Sequence, residues 1–293
     1  MTDFKVSFDR QRFTEKPSKY DMISIGDGIA GKVKAVSRDY AKSFVKLVGE
    51  NGCTFCPATF KDGARNNAHF EQAQQFVLDF NGGITPEDVT GRAERYGLPV
   101  FFSYSKLDDE SNGGFKAAFL NDVPVSDVRA AEIIQELLLT VFPEADSRQK
   151  DVSKMCLGGK RLLHFDEALP TIDLESAARG MSAYLHDRHG KTHFKEKIAK
   201  FAEKNGIALD SSGFLDITVT EDSKDSSGTL SSSGNKMPNP IILSDTVGKK
   251  FPTLSYRINL TDNGTISCSS DQKTLRTYYR PSVLSDLRGT ERV

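Results

Sequence analysis

Apolar and polar positions follow their clearest pattern between residues 74 and 165. Gln75-Phe76-Val77-Leu78-Asp79-Phe80-Asn81 has strand length, is mostly apolar and meets an acid near its end, with Gly82-Gly83 behind it. Thr85-Pro86-Glu87-Asp88 reads as a helix start: a cap, proline at the first helical position, then acids at the positive end of the dipole. That helix is expected to run to Tyr96, where Gly97 stops it. A strand follows over 98–104, then the polar loop Asp108-Asp109-Glu110-Ser111-Asn112-Gly113-Gly114, then a strand over 115–120. Ser126 stands where a cap is needed for a strong helix, with Val128, Ala131, Ile134, Leu138, Val141 and Phe142 facing inward. Two short strands, 152–157 and 161–165, are expected on either side of Gly158-Gly159. The order β-α-β-β-α-β predicts an α+β fold with a ferredoxin-like (RRM-like) core, its sheet covered on one face by helices.

The flanks are weaker. Residues 1–70 read as an N-terminal α/β part, with a helix within 36–49 that turns Ala41, Phe44, Val45 and Val48 to one side. Residues 71–174 form the core, and 175–219 a helical segment stopped by Gly206 after Asn205. Residues 220–240, rich in Ser, Gly, Asp and Lys, read as a linker or disordered loop. Residues 241–293 make a small C-terminal segment with β-like pieces at 254–260 and 265–268 and a helical end. Arg280-Pro281-Ser282-Val283-Leu284 looks like a helix start close to the chain end, so truncation ahead of a further domain is expected.

Bulk composition changes this picture little. The 293 residues carry a formal net charge of −1, so nucleic-acid binding would need a local basic patch. There is no apolar N-terminal segment and no long apolar run, so no signal peptide or membrane span is expected, and the expected location is cytoplasmic. Cys53-Thr-Phe-Cys56 has no second CxxC to complete a zinc site, and its thiols read as small buried groups in a reducing compartment. His186, His189 and His193 could share a helix face, but Gly190 interrupts it, and surface or packing roles are expected. The lysines at 191, 195, 197, 200 and 204 form either a nucleic-acid-facing helix or a solvated one with pairs such as Glu196 and Lys200. Lys61 and Arg65 are candidate template contacts.

Candidate chemistry gathers at strand ends. Asp79 and Asn81 lie two apart, so both point to one face of a strand. Two hard oxygen ligands so placed suit a divalent ion, but Asn81 is neutral. Phe115-Lys116-Ala117-Ala118-Phe119 offers a lysine, as does Lys150-Asp151-Val152-Ser153-Lys154, followed by Gly158-Gly159-Lys160. Lysines can take phosphate oxygens, and glycines let a backbone approach them.

In that order and with those flanks, the chain resembles the archaeo-eukaryotic primase superfamily, in particular the primase-polymerases of bacterial phages, plasmids and integrative elements. Leu78-Asp79-Phe80-Asn81-Gly82-Gly83 resembles the first motif, where the family has Asp-x-Asp. Phe115-Lys116-Ala117-Ala118-Phe119 resembles the second, and Lys150-Asp151-Val152-Ser153-Lys154 with Gly158-Gly159-Lys160 the third, both with lysine where arginine is usual. Phe142-Pro143-Glu144-Ala145-Asp146 and Gly52-Cys53-Thr54-Phe55-Cys56-Pro57 read like the same group. The resemblance covers roughly residues 1–200.

The resemblance implies a DNA primase-polymerase of a mobile element: metal-dependent nucleotidyl transfer on a DNA template, using nucleoside triphosphates and Mg²⁺ or Mn²⁺. It makes Asp79, Asn81 and Asp151 the catalytic metal ligands. Ser103, Ser105, Ser111 and Lys116, with Lys154 and Lys160, become nucleotide contacts. A replicative helicase domain or protein is an implied partner. Asn81 in place of an acid would slow such chemistry by about 10²–10⁴-fold. Two further readings stay open: a catalytically inactive module that binds nucleotide or single-stranded nucleic acid in replication or phage defence, and another metal-dependent phosphoryl transferase such as a nuclease.

Overall fold

The structure, a computed structural model, describes residues 3–107 and 113–219, and beyond these only the backbone of two strands, 254–260 and 266–270. Its N-terminal part runs β1 (Phe4–Phe8), α1 (Lys19–Gly28), β2 (Val33–Val36), α2 (Arg38–Gly49), β3 (Phe55–Cys56) and β4 (Ala58–Phe60). The core runs β5 (Phe70–Phe80), α3 (Pro86–Arg95), β6 (Phe102–Lys106), β7 (Phe115–Val125), α4 (Val128–Val141) and β8 (Gly159–Phe165). The long α5 (Leu174–Asn205) and β9 (Asp216–Val219) follow, then β10 (Leu254–Leu260) and β11 (Ile266–Ser270).

The β-α-β-β-α-β order holds, but the strand arrangement differs from the ferredoxin-like expectation. The five-stranded sheet has the order β4-β5-β7-β6-β8, and each neighbouring pair is antiparallel. A ferredoxin-like core would return its last strand to the side of the first. Here β8 lies beside β6, and the free edge of β5 is taken by β4 from the N-terminal part. The likeness therefore stops at a mixed α+β fold with antiparallel sheets. Two smaller antiparallel sheets have the orders β2-β1-β3 and β11-β10-β9.

Local chemistry explains the boundaries. Thr85 and Asp88 form a reciprocal capping box with Pro86 behind them, and Gly97 sits at φ 70° just past the helix. In α4 the cap is Asp127, whose carboxylate accepts from Ala130 N at 2.8 Å, one residue later than the expected Ser126. Gly206 closes α5 at φ 64°, and Gly190 breaks its helical dihedrals midway. Residues 152–157 form no strand. They make turns and one isolated bridge, Phe55 to Cys156, because β3 supplies only that partner. The β-like pieces 254–260 and 265–268 correspond to β10 and β11, whereas the expected linker at 220–240 and the helical end lie outside the described residues.

The sheet separates two cores. Phe76, Leu78, Phe80, Ala117 and Phe119 pack with Ile134, Leu138 and Val141 of α4 on one side. Val77, Ala118, Leu120, Phe102 and Tyr104 pack with Phe44 of α2 and Phe4 of β1 on the other. Ala41, Phe44, Val45 and Val48 of α2 are all buried, as the amphipathic pattern requires. Among the described residues no helix is long and apolar enough to cross a membrane.

Candidate anion-binding site at the end of the central strands

The candidate site grows out of strand register. Asp79 on β5 is paired with Lys116 on β7, and Lys116 with Tyr104 on β6, so these three side chains share one face. Strands β5 and β6 run the same way, each antiparallel to β7. Two residues further along that face come Asn81 and Lys106. Between them stands Gly114, which has no side chain and whose carbonyl accepts from Lys106 N at 3.1 Å. Lysine 106 can therefore reach across the sheet end.

It does so. Lys106 Nζ lies 2.5 Å from Asp79 Oδ1 and donates to Asn81 Oδ1. Lys116 Nζ donates to the other carboxylate oxygen, Asp79 Oδ2. Gln149 Nε2 donates to the same oxygen at 3.3 Å. The side chains of Asp79, Lys106 and Lys116 are 14%, 12% and 9% exposed, so these charges interact with little water between them. Burial alone would push the Asp79 carboxyl up. The Lys116 charge and the hydrogen bonds from Lys106 and Lys116 outweigh it and hold the carboxyl below its ordinary value.

A second acid reaches this end of the sheet by backbone pairing. Ala145 bridges Phe80, and Asp146 N donates to Asp79 O at 2.8 Å. Its carboxylate is gripped from two sides by Arg148, Nε at 3.0 Å and Nη2 at 2.9 Å, which pulls its pKa down to about 2. Asp151 stands on the following turn and spends Oδ1 on Ser153 N at 2.8 Å and Ser153 Oγ at 2.5 Å. Asp151, Lys154 and Gln149 line a cavity of about 10 Å³ with Gln75, Gln135 and Cys156, room for about one water molecule. Gln75 is fully buried, and neither atom of its amide has a hydrogen-bond partner.

Of the residues singled out from sequence, the fold brings Asp79, Asn81 and Lys116 into one cluster. Asp151 and Lys154 border the adjoining cavity. It does not bring in the serines. Ser103 pairs with Ala117, so by strand alternation Ser103 and Ser105 point to the face opposite Asp79. Ser103 is buried, and Ser105 Oγ accepts from Arg161 N at 3.1 Å. Ser111 lies outside the described residues. Lys160 is exposed on β8, past the Gly159 that is paired with Lys106. The Gly158-Gly159 pair serves packing. A Cβ on Gly159 would stand 2.0 Å from Ser105 O, and one on Gly158 would stand 2.5 Å from Cys53 O. These glycines let backbone approach backbone rather than phosphate.

Arg65 is likewise taken up by the fold: it donates to the carbonyls of Gly26 and Ser153. Cys53, Cys56 and Cys156 are buried free thiols. Burial raises Cys156 to about 11 against the pull of Lys116, so it is an inert packing group.

Residue parity could have found Lys106, since 102, 104 and 106 share a face and 103 and 105 share the other. No local signal marks Gln149 or the Asp146–Arg148 pair, because the loop after α4 reaches Asp79 only through a tertiary backbone bridge.

The donor set does not fit a divalent ion. Asp79 is held by two ammonium groups, Asp146 by a guanidinium and Asp151 by its own turn, and Asn81 contributes a neutral oxygen already engaged by Lys106. Among the described residues no group of three or more His, Cys, Asp or Glu side chains could hold a metal ion. What the arrangement offers is buried positive charge beside an open sheet end, suited to oxyanions.

No protein-family model matches the chain, and no curated protein matches it. Among solved structures it is similar to the AEP domain of the cyanophage S-2L primase-polymerase, with 13% identity and a TM-score of 0.36, over 61% of this chain and 89% of that one. A likeness that slight carries no argument about this chain's fold or chemistry.

Proposed function

We propose that this chain is a primase-polymerase-like module that binds the phosphates of a nucleoside triphosphate or a single-stranded nucleic acid, in replication or phage defence, without templated synthesis of its own. The observation that supports the reading is the Asp79 carboxylate shared between Lys106 and Lys116. Two nearly buried ammonium groups on one carboxylate leave a local excess of positive charge. Arg148, paired with Asp146, and Lys154, which lines the adjoining cavity with Asp151, place further cationic donors at the same end of the sheet. Phosphate oxygens are the oxyanions that such lysines take most readily.

The ordered motifs around Asp79, Lys116 and Asp151 favour a second reading, a primase-polymerase of a mobile element whose activity is weakened at Asn81. One experiment separates the two. Primer synthesis with Mn²⁺ is assayed on the wild type and on Asn81→Asp, beside binding of a fluorescent triphosphate and of single-stranded DNA. The binding reading expects no product from either protein and retained binding in the wild type, weakened by Lys116→Met. Product from Asn81→Asp establishes the weakened polymerase instead, and a wild type that binds neither ligand removes the binding reading.

A further inference from the structure

We infer that the Lys106 ammonium is a built-in substitute for a metal ion at the end of β5, so that this site is assembled without any divalent cation. The inference stands on geometry apart from the proposed nucleotide binding. Lys106 Nζ lies between Asp79 Oδ1, at 2.5 Å, and Asn81 Oδ1, to which it donates. These are the two same-face oxygens that a strand with acids two apart presents to a divalent ion.

The charges disfavour a further cation. Asp79 with Lys106 is already a neutral pair, Asn81 adds no charge, and Lys116 leaves the cluster with one positive charge in excess. Asn81 fits an ammonium well, since its carbonyl oxygen accepts a hydrogen bond at no extra charge. An aspartate there would supply the second carboxylate that a divalent ion takes. Position and reach come from the register: Lys106 lies on the face of Asp79 and Asn81, and Gly114 leaves the space between open. With its side chain 12% exposed, the ammonium is held rather than waving in solvent. Lys116 donates to the other carboxylate oxygen, so each oxygen of Asp79 already faces an ammonium group.

The test reads metal binding directly. Mn²⁺ titration followed by electron paramagnetic resonance, with melting curves in the presence and absence of Mn²⁺, is run on four proteins: wild type, Asp79→Asn, Lys106→Met and the double variant Lys106→Met/Asn81→Asp. The wild type is expected to bind no Mn²⁺ that Asp79→Asn abolishes, and to melt at the same temperature with and without the ion. The double variant loses a cation and gains a carboxylate, and is expected to bind Mn²⁺ about 100-fold tighter or more than the wild type. Lys106→Met alone is expected to fall between them.

An Asp79-dependent Mn²⁺ site in the wild type overturns the inference, and that measurement needs no variant beyond Asp79→Asn. A double variant that melts cooperatively yet binds Mn²⁺ no better than the wild type also overturns it. Wild-type protein that binds neither triphosphate nor single-stranded DNA, while its metal behaviour is as expected, defeats the proposed function and leaves Lys106 in place.

Discussion

Among the described residues, two carboxylates each draw two lysines and an amide, and they differ in their water. Glu136 on α4 takes Lys204 at 2.7 Å and Lys150 at 3.7 Å, with Asn205 Nδ2 at 3.1 Å. Asp79 takes Lys106, Lys116 and Gln149. Both acid side chains have little exposure, and in both the carboxyl is held low: burial raises it and the lysines, with Asn205 at Glu136, more than reverse that. The lysines separate the two. Those at Glu136 are 57% and 51% exposed, while those at Asp79 are 12% and 9% exposed. At Glu136 the ammonium groups keep their hydration, and the cluster ties α5 to α4. At Asp79 the sheet has stripped that hydration from both lysines, at a real desolvation cost. In the proposed reading, that cost keeps positive charge ready for phosphate at the sheet end.

The largest difference should appear on removing each charge. Asp79→Asn leaves two nearly buried ammonium groups facing each other and should lower stability by about 3–5 kcal/mol. Glu136→Gln, with solvated partners, should cost about 1 kcal/mol. Urea denaturation of both variants checks this, and equal losses would end the distinction between the clusters.

Pyrophosphate sharpens the same comparison. Added at saturating concentration, it should recover part of the stability lost in Asp79→Asn by supplying oxyanions to Lys106 and Lys116, and should recover none in Glu136→Gln. At 100 times its Kd a ligand specific for the folded state contributes about 2.7 kcal/mol. Melting curves read the effect, and a similar rise in both variants would locate pyrophosphate binding elsewhere.

Acid should weaken both clusters in the same direction. Asp79 and Glu136 each have a folded pKa below the unfolded value. Their stabilisation is present above the ordinary carboxylate range, near pH 4, and is lost as pH falls through the folded values. Stability measured between pH 6 and pH 3 should therefore fall less steeply in Asp79→Asn than in the wild type. The smallest effect is expected next to the site: Gln75→Met removes an amide that makes no hydrogen bond and keeps its volume, so it should shift stability by no more than about 1 kcal/mol.

Much of the fold was legible because local rules agreed with it. The Thr85–Asp88 box, the apolar stripe of α2, the glycine stop at 206 and the break at Gly190 all act within one turn of chain. The sheet order was not legible. Hydrophobic alternation gives strands but does not choose neighbours: β4 from the N-terminal part closed the β5 edge, β8 went to β6, and a bridge to Phe55 of the smaller sheet took Cys156 from residues expected to form a strand. The Gly158-Gly159 pair misled for a related reason. A glycine needed for close approach looks the same in sequence whether a phosphate or a carbonyl approaches it.

At the site the sequence by itself determined the ingredients: an acid and an amide two apart on one strand, a lysine on a second, an acid and a lysine on a third segment. Strand period alone places Asp79 and Asn81 on one face. Only the tertiary structure decided what lies opposite them. Register set Lys116 against Asp79 and turned Ser103 away, parity carried Lys106 to the open end, and the loop after α4 delivered Gln149 and Asp146. The physical reason is charge balance in a place with little water. A carboxylate there takes whichever cations the neighbouring strands bring within reach, and the sequence names the carboxylate without saying which cation arrives.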